Sequence, residues 1–171
     1  MKVDDRTYFE EEQRMNSNWL WFFVIFSFIS LMVLGVTFLI DKETDWIKVA
    51  IVLGAITFSD VLIIFLFKTM KLELAITKNG LHYSFFAMVT NKGIVPWSEV
   101  SALSFQKAPR RGYGKSYKFR YGEVYAMGTR KGIELELKNG KKKFFTLKDL
   151  DSFRSGFEKL NLPLTLNKEL N

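Results

Sequence analysis

The chain lacks cysteine entirely and carries a single histidine, His82, in 171 residues. The first absence excludes disulfides, cysteine-containing zinc sites and thiol catalysis, and is compatible with a reducing compartment. The second leaves little for acid–base work, since a lone histidine is more often a surface residue than a base or ligand. No Asp/Glu/His cluster has metal-ligand spacing, and no serine sits in a G-x-S-x-G elbow. The reading is of a protein that is not an enzyme, with no cofactor and no metal site.

One fragment argues the other way. "GYGKS" (112–116) looks like the end of a phosphate-binding loop of the G-x-x-x-x-G-K-[ST] type. Pro109 stands where the first glycine is needed, and proline has no N–H to offer a phosphate. The following "YKFRYGEVY" is strand-like rather than helical. The phosphate loop is rejected on both counts.

Charge is short on one side. Residues 1–67 hold five Lys/Arg against nine Asp/Glu, whereas residues 68–171 hold twenty against nine. Such asymmetry suggests two environments, with the basic half meeting an acidic surface. The first half contains two apolar runs of 22 residues, 19–40 and 46–67. As helices each is about 33 Å long, enough for a hydrocarbon core of about 30 Å. Trp19, Trp21 and Trp46 mark the boundaries, and the five-residue link 41–45 forces an antiparallel hairpin. A cleaved signal peptide fails on length, on the acidic residues 10–12 before the first run, and on the missing small-residue cleavage site. Lys2, Arg6 and Arg14 before the pair, and Lys68, Lys71 and Lys78 after it, put both termini on the cytoplasmic side.

Asp60 falls inside the second run. A carboxylate there is either an ion site or a polar contact between helices. Alignment about the turn sets Asp60 level with Ser27 and Thr57 level with Ser30, and a helix contact is the preferred reading. Pairing between copies is a third use.

From residue 71 the pattern becomes short β-rich runs separated by turns. "KLELAITKNGLHYSFF" (71–86) reads as a hairpin on Asn79-Gly80, with Ile76 opposite Tyr83, Leu74 opposite Phe85 and His82 beside Thr77. "GIELELKNGKKKFFTL" (132–147) repeats the device on Asn139-Gly140 and sets Lys143 opposite Glu136. Further strands are expected at 100–106 and 123–127, with weaker ones near 92–97 and 117–121. In 148–160 Leu150, Phe153, Phe157 and Leu160 make one apolar helical stripe, which Asp149 or Asp151 can cap. Only Lys68, Thr69 and Met70 separate the second run from the first strand, which tethers the domain within about 10 Å of the bilayer.

The phrases "ITKNGLHY", "IVPWSEVSAL", "GIELELKNGKK" and "LDSFRSGFEKL", directly after a two-span hairpin, resemble the small membrane-anchored bacterial pleckstrin-homology-like proteins over roughly residues 71–160. The resemblance implies a partly open antiparallel β-barrel or sandwich capped by a C-terminal helix. It implies little about function, because that family is defined by its fold. The expected architecture is thus an α+β membrane protein of four parts: an N-terminal cytoplasmic segment (1–18), the transmembrane hairpin (19–67), the pleckstrin-homology-like domain (68–160) and a tail (161–171).

The candidate contact site lies in 107–122. Lys107, Arg110, Arg111, Lys115, Lys118 and Arg120 stand there without one acidic residue, interleaved with Tyr113, Tyr117, Phe119 and Tyr121. Basic and aromatic side chains together suit a headgroup layer. They also suit RNA, but a membrane-fixed protein meets little nucleic acid. If 117–121 is a strand, its aromatic residues share one face and turn toward the core, leaving the charges unexplained. The expected function is a binding module anchored in the cell membrane, its basic face touching anionic lipid headgroups or an acidic protein. The alternative is an assembly protein that forms homo-oligomers through its spans and strand edges.

Overall fold

The structure, a computed structural model, describes residues 6–15, 18–40, 45–87, 90–108, 112–162 and 165–168. The fold is α+β, with three helices and two β-sheets among these residues. The chain divides into two units: Asn16–Lys68, and Met1–Met15 together with Thr69–Asn171.

The first unit contains α1 (Asn18–Ile40) and α2 (Trp46–Thr69). Asp45 starts α2 by accepting from the Ile47 amide at 3.1 Å. Among the described residues α2, with 24 residues, is the one helix long and apolar enough to cross a membrane, while the apolar stretch described in α1 runs from Val24 to Phe38. Large apolar side chains such as Ile47, Ile51, Phe58 and Phe65 are exposed along α2. An apolar surface of this extent calls for a cover. The hydroxyls of Ser30, Thr37, Thr57 and Ser59 bond back to carbonyls three or four residues earlier, so none needs water.

The other unit is built on two sheets. The first has the order β1 (Phe9–Arg14), β2 (Lys71–Ile76), β3 (Gly80–Phe86) and β4 (Thr90–Pro96), antiparallel throughout. The second comprises β5 (Val100–Lys107), β6 (Tyr113–Lys118), β7 (Gly122–Met127), β8 (Lys131–Leu137), β9 (Lys142–Thr146) and β10 (Thr165–Lys168), in the order β10-β5-β8-β9-β7-β6. Its β10–β5 and β7–β9 pairs are parallel. Helix α3 (Leu150–Glu158) follows β9, capped by the Asp149 carboxylate on the Ser152 amide at 2.9 Å. Hydrogen bonds from the Ser152 hydroxyl, first, and from its amide hold the Asp149 carboxyl below its ordinary pKa.

Period-two alternation decides which residues enter the core. Leu72, Leu74 and Ile76 face inward from β2, and Leu81, Tyr83 and Phe85 from β3. Tyr83 meets Tyr125 and Phe145 of the other sheet with ring centroids 5.1 and 5.2 Å apart. On α3, Phe153 packs edge-on against Phe9 at 5.2 Å, and Phe157 against Trp97 at 5.3 Å.

Residues 9–14, read from sequence as part of an N-terminal flank, are the edge strand β1. Arg14 pairs with Lys71 and Phe9 with Ile76, so the helical unit is inserted between two hydrogen-bonded neighbours. The fully buried Gln13 side chain donates to the Thr146 carbonyl at 2.6 Å, and the Glu11 carboxylate accepts from the Lys148 and Asp149 amides. Residues 165–168 of the expected tail likewise form a strand.

Two turns differ from their sequence reading. The Thr77 amide donates to the Gly80 carbonyl at 3.0 Å and the Thr77 hydroxyl accepts from the Asn79 and Gly80 amides, so the turn is centred on Lys78-Asn79, one residue earlier than expected. The register moves by two, so Ile76 faces Leu81 and Ala75 faces His82, and every side chain keeps its face. At the second turn Gly140 takes a left-handed φ of 76°, adding one residue, and Glu136 pairs with Lys142 instead of Lys143.

Close approach of α3 to β1 rests on Gly156. A Cβ there would lie 2.8 Å from the Tyr8 carbonyl oxygen and 2.9 Å from the Phe9 Cβ. Gly156→Ala is expected to force β1 off the helix at a cost of about 1–3 kcal/mol. Thermal unfolding checks this as a fall of several degrees, and an unchanged midpoint would refute the contact.

Candidate functional site

The hairpin of β6 and β7 carries most of the described basic residues of 107–122. Its turn is made by Gly122, at φ 66°, where a Cβ would stand 2.0 Å from the Lys142 carbonyl oxygen. Only glycine fits both the conformation and the space. The Tyr121 amide closes the turn on the Lys118 carbonyl at 3.0 Å, leaving Phe119 and Arg120 at the tip.

This geometry separates the aromatic residues that sequence alternation would put on one inward face. Tyr121 packs edge-on against Phe144 at 5.5 Å, inside the fold. Tyr117 lies on edge strand β6 and is 74% exposed, and Phe119 is fully exposed. The expected strand ends at Lys118, because the tight turn after it points Phe119 away from the sheet.

The basic residues separate as well. Lys118 and Arg120 flank Phe119, and the Arg120 guanidinium lies 5.6 Å from the Tyr121 ring centroid. Lys107 ends β5 opposite Lys131, and the next residue, Ala108, donates to Arg130 at 2.7 Å. It precedes the open end of the hairpin, and six strand residues, roughly 20 Å, run from there to the tip. Arg110 and Arg111 lie outside the described residues.

Lys115 is held, not free. Its ammonium is 3.3 Å from the Glu123 carboxylate and 5.4 Å from the Tyr125 ring centroid. The same carboxylate meets Lys143 at 3.3 Å, and Lys143 bonds the Tyr83 hydroxyl at 3.1 Å. Burial opposes ionisation of Glu123, but the two lysines outweigh it and hold its carboxyl below the ordinary range. Burial likewise works against the Lys143 charge, and the contacts with Tyr83 and Glu123 overcome it and raise the pKa. Tyr125 is pushed upward, first by burial and then by its tyrosine and carboxylate neighbours. Lys142 is matched by Glu134 at 2.9 Å and Glu136 at 3.9 Å. Glu123 is the partner that sequence reading missed, because it lies past the turn and meets its lysines only through the β6–β7 and β7–β9 registers.

Of the helix residues singled out, Ser27 and Asp60 come together, the Ser27 hydroxyl donating to the Asp60 carboxylate. Ser30 and Thr57 do not bond each other: their hydroxyls donate to Phe26 at 2.9 Å and Leu53 at 2.9 Å. His82 is on the outer face of the first sheet. No group of three or more His, Cys, Asp or Glu could hold a metal ion among the described residues.

No protein-family model matches this chain, and no curated protein matches it either.

Proposed function

We propose that the protein is a membrane-anchored, non-enzymatic binding module whose β6–β7 tip enters the headgroup layer of an anionic membrane. The observation that carries this reading is Phe119, fully exposed at a tight turn between Lys118 and Arg120. A phenyl ring kept out of the core loses the benefit of burial, about 1.5–3 kcal/mol, unless another surface covers it. Two flanking cations select the covering surface. Each contributes about 1 kcal/mol near an anionic leaflet.

In this reading α1 and α2 cross the membrane as a two-helix hairpin. Pairing of β1 with β2 supports it, because one sheet lies on one side of a bilayer and the insertion between its strands must cross an even number of times. The lysine and arginine flanks make that side cytoplasmic. The two sheets and C-terminal helix fit the pleckstrin-homology-like resemblance, with the helical pair inserted after the first strand.

The absence of cysteine makes the test clean. Phe119→Cys in the full chain, labelled with a nitroxide and placed in nanodiscs, would report its depth by spin relaxation. The label should be buried in discs containing phosphatidylglycerol and water-exposed in pure phosphatidylcholine, with salt reversing the difference. A label equally exposed in both discs would end the headgroup reading.

A further inference from the structure

The outward face of the first sheet carries a feature that the hairpin reading does not use. A cleft of about 760 Å³ opens over β2, β3 and β4, within the size range of small-molecule sites. Alternation puts Lys71 and Glu73 of β2, His82, Ser84 and Phe86 of β3, and Lys92 and Ile94 of β4 on this face, opposite the core positions Leu72, Leu74, Tyr83 and Phe85.

Three features of the cleft point to a ligand. The Nε2 atom of His82 is buried without a hydrogen-bond partner, the one such side-chain atom among the described residues. A buried ring nitrogen left unpaired costs about 1–3 kcal/mol, a penalty that turning the imidazole so that this nitrogen meets a ligand in the cleft would relieve. Lys92 is exposed at the rim and has no carboxylate within ion-pair distance among the described residues. Lys71 differs, being bound to Glu73 at 2.6 Å; burial works against the Glu73 charge, but neighbouring cations, Lys71 foremost, outweigh it and hold its carboxyl below the ordinary range. The polar groups lining the cleft are thus the unmatched Lys92 ammonium, the His82 imidazole with its buried unpaired nitrogen, and the Ser84 hydroxyl, beside the Lys71–Glu73 pair. Its walls include Phe86 and the exposed Ile94.

A cation, an imidazole and a hydroxyl converge best on a compact oxyanion with several acceptor oxygens. The apolar walls add room for a short hydrocarbon group. We infer that this cleft binds a phosphate group carried on an apolar substituent, with Lys92 as the charge partner, His82 Nε2 and Ser84 as hydrogen-bonding groups, and Phe86 and Ile94 against the substituent. This site is independent of the β6–β7 tip, being on the other sheet.

The lone histidine supplies its own reporter. Full-length protein labelled with ¹⁵N only in histidine, in pure phosphatidylcholine nanodiscs at fixed pH, gives imidazole signals from His82 alone. Butyl phosphate should move the Nε2 signal saturably, at a concentration at least tenfold lower than inorganic phosphate requires, and butanol should not move it. Lys92→Gln, at an exposed position, should leave the melting temperature unchanged and weaken butyl phosphate at least tenfold. Equal affinity for the two phosphates would keep the anion site and assign its ligand to free phosphate. Absence of a saturable shift with either phosphate, or unchanged affinity in Lys92→Gln, overturns the inference. Neither result depends on Phe119, so failure here and failure of the hairpin reading are separately visible.

Discussion

A chain beginning at residue 71 should lose cooperative folding, whereas residues 6–14 joined to 71–171 by a short Gly/Ser link should melt in a single transition. The expectation follows from β1. Without it Phe153 loses the Phe9 ring at 5.2 Å, the Thr146 carbonyl loses the Gln13 amide at 2.6 Å, and the Lys148 and Asp149 amides lose the Glu11 carboxylate. Loss of one buried phenyl contact costs about 1.5–3 kcal/mol. A buried polar group left unmatched costs about 1–3 kcal/mol more. The backbone ladder from Phe9 to Arg14 goes as well. Together these approach the whole stability of a domain, about 5–15 kcal/mol. The linked chain is feasible because Arg14 and Lys71 are paired neighbours, a gap that a hairpin loop of about two to five residues closes. Circular dichroism melts of the two chains decide the matter. Equal midpoints would show that β1 contributes nothing to the fold.

If the linked domain melts cooperatively, it allows the second large effect to be measured without the helices. Its association with phosphatidylglycerol vesicles should fall several hundredfold or more in the triple variant Lys118→Glu, Phe119→Ser, Arg120→Glu. Loss of two cations removes about 2 kcal/mol. Loss of the phenyl group removes about 1.5–3 kcal/mol. Each 1.4 kcal/mol is tenfold. Lys115→Gln should change binding by much less, because that ammonium is held against Glu123 at 3.3 Å and lies away from the tip. The contrast separates a specific tip from a diffuse positive domain. Comparable losses in the two variants would favour general electrostatics, and no loss in the triple variant would remove the tip from membrane binding.

How far the sequence could be read depended on the range of the interaction. The stripe Leu150, Phe153 and Phe157 and its Asp149 cap were legible because a helix repeats every 3.6 residues and caps itself locally. The faces of β2 and β3 were legible for the same reason, since a register shift of two leaves alternation intact. The second hairpin was less forgiving. One added residue at Gly140 exchanged Lys143 for Lys142 opposite Glu136.

The candidate contact site was legible as a composition and not as a shape. Six basic residues and four aromatic ones in 107–122 are visible at a glance, but their fates diverge. Lys115 is held by Glu123 across the hairpin, Lys107 lies toward its open end, and Tyr121 folds inward. Phe119 and its two flanking cations remain at the tip. Nothing in alternation alone could show that the strand ends at Lys118, since that depends on the contact between Gly122 and the Lys142 backbone, twenty residues on.

What the sequence determined by itself is therefore local and periodic: two long apolar helices, the inward faces of the strands, a capped amphipathic helix, and a basic half without cysteine, each set by repeat or composition within one element. Tertiary structure decided the rest. It made "FEEEQR" an edge strand, gave Glu123 two lysines to hold, left Phe119 in the open and buried an unpaired nitrogen of His82, a residue that lines a cleft. These outcomes depend on pairing between residues far apart in the chain, and no local period encodes which strand a polar segment will join or which charge will find a partner.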